Sequence, residues 1–217
     1  MAQLPIVIKP AQSKKDIRRF AKFPRHIYNR ASPWVPPLIS EQLRFMDSER
    51  NPFFEHAEVK FFLAYVEKRI VGRIAAIVND RHNEFHDEKT GFFGLFESIE
   101  EYDVARALFD AAYDFVRERG MERLRGPMNF STNDNCGFLI RGYETPPAIM
   151  MPYNPSYYNE FAERYGMNKI KDLYAYAVTD EEIQADKYLK VAKAVIKRGG
   201  VTVRRIDLGD FEDEIDR

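Results

Sequence analysis

Residues 99–119 constrain this chain more than any other stretch. Val104, Leu108, Ala111, Ala112, Phe115 and Val116 recur at i, i+4, i+7, i+8, i+11 and i+12, the spacing that gathers apolar side chains on one face of an α-helix. Ser98 and Glu101 predict a capping box at its start, and Gly120 a stop at its end. A helix with a single apolar face has to bury that face against something. The neighbouring sequence supplies a sheet. Residues 59–66 and 70–78 are β-rich runs joined by the short polar Glu67-Lys68-Arg69, which reads as a hairpin, with Gly72 marking a bulge. The chain is therefore read as mixed α/β, with helices packed on a sheet.

The remaining elements follow from local chemistry. Residues 5–9 read as a strand bounded by Pro10. Ser13 with Asp16 marks a helix start, Ile17, Phe20 and Ala21 keep helical spacing, and Pro24 ends or kinks that helix. Pro33-Trp34-Val35-Pro36-Pro37 lacks three backbone donors and excludes regular structure. Residues 38–46 read as a second short helix, 79–91 as a polar loop, 92–96 as an apolar strand and 121–125 as another. Residues 129–137 form a loop rich in Asn, Ser, Thr and Asp. Asn154-Pro155 opens a helix stopped by Gly166, and residues 169–178 return as a strand.

Beyond that point Thr179 and Glu182 predict a capping box for a helix reaching about Arg198, followed by the Gly199-Gly200 break. Residues 201–206 read as a strand and Asp210 begins another helix. This strand and charged helix echo Ile6-Val7-Ile8-Lys9 and the helix after Ser13. The expected organisation is one domain over residues 5–178, a connecting helix and break over 179–200, and at 201–217 the truncated start of a second, similar domain. Lys plus Arg, 33, balances 34 acidic residues, which gives no general attraction to nucleic acid. One cysteine, Cys136, excludes an internal disulfide. The first nine residues carry no secretory apolar core, and no apolar run reaches the roughly 18 residues of a spanning helix. The expectation is a cytoplasmic protein without a transmembrane segment.

The order β-α-α-β-β-β-α-β-α-β resembles the GNAT N-acyltransferase fold. The hairpin Glu67-Lys68-Arg69-Ile70-Val71-Gly72-Arg73-Ile74, the helix running from Ala105-Arg106-Ala107-Leu108-Phe109 to Gly120, and Phe161-Ala162-Glu163-Arg164-Tyr165-Gly166-Met167 carry the likeness. Trp34-Val35-Pro36-Pro37, Asn51-Pro52-Phe53-Phe54, residues 126–131 and Met151-Pro152-Tyr153-Asn154-Pro155 are similar to tandem-GNAT proteins grouped with bacterial ceramide synthase. The resemblance implies a mixed sheet flanked by helices and acyl transfer from acyl-CoA or acetyl-CoA to a small-molecule or lipid amine. It also implies a second, C-terminal GNAT-like domain as partner. At the cofactor helix the aligned residues are Glu100-Glu101-Tyr102-Asp103-Val104-Ala105, of which Ala105 alone fits the expected pattern. The carboxylates complement the helix dipole but repel a phosphate, which argues against usual CoA binding by this half.

For the chemistry, Glu97 at a strand end is the candidate base; the closing helix carries Ala162 where GNAT enzymes often place a tyrosine acid, with Tyr157, Tyr158 and Tyr165 as substitutes, of which Tyr158 is the candidate taken. Asn129, Ser131, Asn133 and Asn135, with Tyr153 and Asn154, are candidate substrate contacts. Self-bonded turns and capping are the competing roles. Cys136 has no histidine near it in sequence. His82 and His86 stand four apart but lack the His-Glu-x-x-His order, and no metal is expected. Packing is the favoured role for Trp34, Phe53 and Phe54. The rival to an enzyme is a non-catalytic GNAT-like scaffold or ligand-binding module, and a metal hydrolase built on His82 and His86 is a weaker third.

Overall fold

The hairpin organises the sheet. β2 (Ala57–Val66) and β3 (Arg69–Asn79) pair antiparallel, and from Val71 to Asn79 every residue of β3 is buried, as befits a strand covered on both faces. The computed structural model describes residues 4–29, 31–179, 185–199 and 204–215. Its contacts divide into two units, Met1–Lys171 and Asp172–Arg217.

In the first unit, β1 (Ile6–Pro10) pairs antiparallel with β2, and β4 (Thr90–Ser98) with β3. β5 (Arg123–Arg125) lies parallel to β4, so the sheet order is β1-β2-β3-β4-β5. A parallel neighbour requires a crossover, and α4 (Tyr102–Arg117) provides it. Val104, Leu108, Ala112, Phe115 and Val116 are buried, as the periodicity predicts, and Ala105 and Phe109 are buried with them. Glycines bring the helix close: a Cβ on Gly72 would meet Leu108 Cδ1 at 2.7 Å, and one on Gly91 would meet Val116 Cβ at 2.4 Å. The other face of the sheet is covered by α1 (Lys14–Lys22) and α2 (Ile39–Phe45), with Phe20, Met46 and Phe130 in its core. Ser13 caps α1 by accepting from the Asp16 amide at 3.1 Å, and Pro24 falls in a 3-10 turn, Phe23–His26.

Two irregularities shape the sheet. Ala64 pairs with Gly72 but Tyr65 with Ile70, leaving Val71 extra, a bulge at the glycine. Arg73 pairs with Glu97 but Ala75 with Gly94, so β4 carries one residue too many, and Leu95 there has φ 47°. A left-handed leucine in a strand frees its amide from the ladder.

Several elements depart from the sequence reading. α4 starts at Tyr102, not Ile99, because Ser98 is the last residue of β4. Its amide donates to Tyr158 Oη and its hydroxyl to the Ile99 carbonyl, so no capping box forms. The 79–91 loop contains α3 (Asp80–His86), capped by the Asn79 side chain accepting from the His82 amide at 3.1 Å. The closing helix, α5 (Tyr157–Tyr165), has Ser156 and not Asn154 at its N-cap. Residues 169–178 form no strand; aromatic and apolar residues make a strand only where a neighbouring strand accepts its hydrogen bonds. In the second unit α6 (Ala185–Arg198) is followed by a 3-10 turn, Leu208–Asp210, and α7 (Phe211–Ile215). The capping role of Glu182, the break at Gly200 and residues 201–203 of the expected strand lie outside the described residues, while 204–206 are not strand.

Candidate active site

A charged residue inside an apolar strand needs a partner, and β3 carries Arg73 amid Val71, Ile74, Ala75 and Ala76. Its cross-strand partner is Glu97. Both are nearly enclosed, at 5% and 8% exposure. Arg73 Nη2 lies 3.9 Å from Glu97 Oε1, Nη1 donates to the Phe20 carbonyl at 2.9 Å, and the guanidinium sits over the Phe20 ring. Among the described residues Arg73 Nε has no partner.

The other carboxylate oxygen receives two phenols. Tyr158 Oη, from α5, donates to Glu97 Oε2 at 2.8 Å and accepts from the Ser98 amide at 2.8 Å. Tyr28 Oη, from the stretch beyond the 3-10 turn, donates to the same Oε2 at 3.0 Å and has the Tyr153 carbonyl as a second acceptor at 3.3 Å. Tyr157 donates to the Ser98 carbonyl at 2.8 Å. Burial pushes the Glu97 carboxyl above the usual carboxylate range, and Arg73 and the two phenols offset part of that rise. Burial, reinforced by the Glu97 charge, holds the Tyr158 and Tyr28 phenols well above their ordinary value. A carboxylate whose pKa is raised by burial and that is tied to phenol donors can accept and return a proton.

Tyr158 is fully buried, whereas Tyr28, Trp34 and Tyr153 are half-buried. Tyr28 stacks on Trp34 with ring centroids 4.5 Å apart and leans on Tyr153 at 5.9 Å. These rings form an aromatic rim beside Glu97.

The structure thus brings Glu97 and Tyr158 together, keeps Tyr153 in the rim beside them, and scatters the other candidates. Asn129 Oδ1 accepts from the freed Leu95 amide at 2.8 Å, across the β4 bulge. Ser131 and Asn133 belong to a turn closed by Asp134: the Ser131 hydroxyl donates to Asp134 Oδ2 at 2.7 Å and accepts from the Asn133 amide at 3.2 Å. Both also line a cavity of about 580 Å³ with Arg44, Arg50 and the stacked rings of Phe45, Phe130 and Phe53. Neither Glu97 nor the two phenols line it. The Asn135 carbonyl accepts from the Asn129 amide. Tyr153 donates to the Tyr143 carbonyl at 2.9 Å. Asn154 is buried and accepts from the Leu139 amide at 2.6 Å, pinning two loops instead of capping α5. Ala105 is fully buried in the core.

Burial and Asp134 raise the Cys136 thiol, the wrong direction for a nucleophile. His82 and His86 do share a helix, with rings 4.4 Å apart, but His82 Nε2 is bonded to Glu88 at 2.7 Å. No group of three or more His, Cys, Asp or Glu suited to a metal occurs among the described residues. No described helix is long and apolar enough to cross a membrane. Sequence reasoning missed Tyr28 and Arg73. The lone arginine in the apolar run of β3 was the available signal for a buried partner.

The chain is 32% identical over 210 residues to the bacterial ceramide synthase of Caulobacter vibrioides and 31% identical over 209 residues to protein YghO of Escherichia coli. These alignments cover 95% and 96% of this chain but 54% and 53% of those proteins, so the chain spans about half the length of the curated relatives it matches. It is a sequence relative of both. No protein-family model matches it. Among solved structures, an aminoglycoside acetyltransferase from an uncultured soil metagenome, in complex with sisomicin, aligns over 80% of this chain and 95% of its own at TM-score 0.45 and 12% identity. The GNAT-like fold is instead carried by the strand order, with its antiparallel β1–β4, parallel β5 and α4 crossover.

Proposed function

We propose that this chain is one half of a GNAT-type N-acyltransferase that moves an acyl group from acyl-CoA or acetyl-CoA to an amine, in the cytoplasm, together with a second GNAT-like domain. A long-chain or lipid amine is the acceptor class that the ceramide synthase relative suggests. The observation that carries the reading is Glu97, a buried carboxylate at the end of β4 with two phenols on one oxygen. It is equipped to take the proton an amine must lose before attacking a thioester. The half-length match to the relatives supports the second domain.

A second reading, a supporting half without its own donor site, is favoured by the start of α4. Glu101 is the N-cap and Asp103 lies in the first turn, carboxylates whose charge repels the pyrophosphate a helix start would otherwise hold. Calorimetric titration of acetyl-CoA and of a long-chain acyl-CoA separates the two. Stoichiometric binding to residues 1–217 makes this half a donor site. Binding only by a protein that carries the second domain makes it the supporting half. Binding by neither refutes the acyltransferase reading.

A further inference from the structure

Glu97 Oε2 is closed to direct contact with an amine. A carboxylate oxygen offers about two lone-pair directions, and Tyr158 and Tyr28 fill them at 2.8 and 3.0 Å. Oε1 faces Arg73. Of the side chains around the carboxylate, Tyr158 is at 0% and Arg73 at 5% exposure, while Tyr28 is half-buried in the aromatic rim. We propose that Tyr28 is a catalytic residue that carries protons between the acceptor amine and Glu97. This rests on the acyl-transfer reading and assigns its acid–base path to a tyrosine outside the sheet and the helices.

The hydroxyl has what a relay needs. It already donates to Glu97, and the Tyr153 carbonyl at 3.3 Å gives its hydrogen a second acceptor when Glu97 is itself protonated. The Trp34 stack holds the ring at the rim through both states. Burial and the Glu97 charge keep the phenol protonated at neutral pH, so it passes a proton on without resting as a phenolate.

The acceptor arrives as an ammonium ion. One of its protons passes to Tyr28 Oη as the Tyr28 proton passes to Glu97 Oε2. The nitrogen lone pair then attacks the thioester carbonyl carbon. The C–N bond forms, the C–S bond breaks, and the thiolate leaves with a second nitrogen proton as free thiol. Glu97 returns its proton to water through the same hydroxyl.

The test measures thiol release from acyl-CoA with a long-chain primary amine by the full-length protein, comparing wild type with Tyr28→Phe, Glu97→Gln and the double variant. The phenylalanine keeps the ring, and emission of Trp34, the chain's single tryptophan, checks that the stack survives. The relay predicts a kcat about 100-fold lower in Tyr28→Phe, with KM for acyl-CoA within about twofold. It also predicts loss of the rising limb of the pH profile, and a double variant no slower than the slower single one. Should Tyr28→Phe disturb the stack, a fluorotyrosine at position 28 keeps every contact and makes the phenol more acidic; a changed kcat and pH profile at unchanged KM is then expected. Independent, multiplying losses in the double variant, or a Tyr28→Phe enzyme within about threefold of wild type, overturn the relay and leave the acyltransferase reading standing. A wild type that releases no thiol overturns both.

Discussion

Tyr158→Phe removes one oxygen atom from a side chain at 0% exposure and leaves the ring in its packing against Phe96 and Phe138. That oxygen meets the Glu97 carboxylate and both backbone groups of Ser98. Its bond to the Glu97 carboxylate is 2.8 Å long, and bonds to charged groups contribute about 1.5–3 kcal/mol. The Ser98 amide, which donates to it at 2.8 Å, is left in a buried strand end at a cost of about 1–3 kcal/mol. Relief from burying a hydroxyl offsets part of the sum, so the expected loss is about 2–4 kcal/mol at neutral pH. In a domain of this size about 3 kcal/mol lowers Tm by roughly 6–12 °C.

The pH dependence is a sharper signature. Burial raises the Glu97 pKa above its ordinary 4.5, and the Tyr158 bond pulls it back. Native Glu97 therefore holds its proton to higher pH than unfolded Glu97. Its contribution is fully present below about 4.5 and is lost as pH rises through the native value. Without the Tyr158 hydroxyl the native value rises further, so the variant loses more than wild type over that climb. Urea unfolding from pH 4 to 8 should show a deficit that grows with pH. A deficit below about 0.5 kcal/mol, or one constant across that range, would show that this bond does not govern the Glu97 carboxylate.

Two more perturbations probe the frame around the site. Gly91→Ala would place a methyl 2.4 Å from Val116 Cβ and should cost about 1–3 kcal/mol by overpacking. Val116→Gly, which removes that Cβ together with Cγ1 at 2.5 Å and Cγ2 at 2.8 Å, should offset part of the Gly91→Ala loss in a double-mutant cycle read by urea titration, and simple additivity would refute the contact. Glu88 is held down at about 2, first by the His82 hydrogen bond and then by Arg125. Its contribution is present above about 4.5 and is lost as pH falls toward 2. Glu88→Gln should therefore cost about 1–2 kcal/mol near neutrality, solvent screening having taken the rest, and nothing near pH 2. An equal effect at both pH values would refute the ion-pair account.

What the chain reveals in sequence is what local physics decides. The Ser13 cap, the stop at Gly120 and the apolar face of α4 each involve residues a few positions apart, and each appears where expected. The start of α4 was illegible because Ser98 answers to Tyr158, sixty residues away. Glu97 and Tyr158 stood out separately, one at a strand end and one in a closing helix. Nothing local said that they meet, or that Tyr28, sixty-nine residues before Glu97, joins them. The stretch 169–178 reads as a strand yet forms none, since a strand also needs an edge to pair with.

Gly94 and Gly126 have a use beyond this one chain. A Cβ on Gly94 would lie 2.1 Å from the Met128 carbonyl oxygen, and one on Gly126 2.4 Å from that of Phe93. No side chain fits at either place while the backbone after β5 runs alongside β4 and lets Asn129 reach the Leu95 amide. The two positions therefore act as a sorting rule for relatives. A homologue with glycine at both can route this segment as here. One with any larger residue at either must carry the segment elsewhere, and inferences about the bulge amide should not be transferred to it.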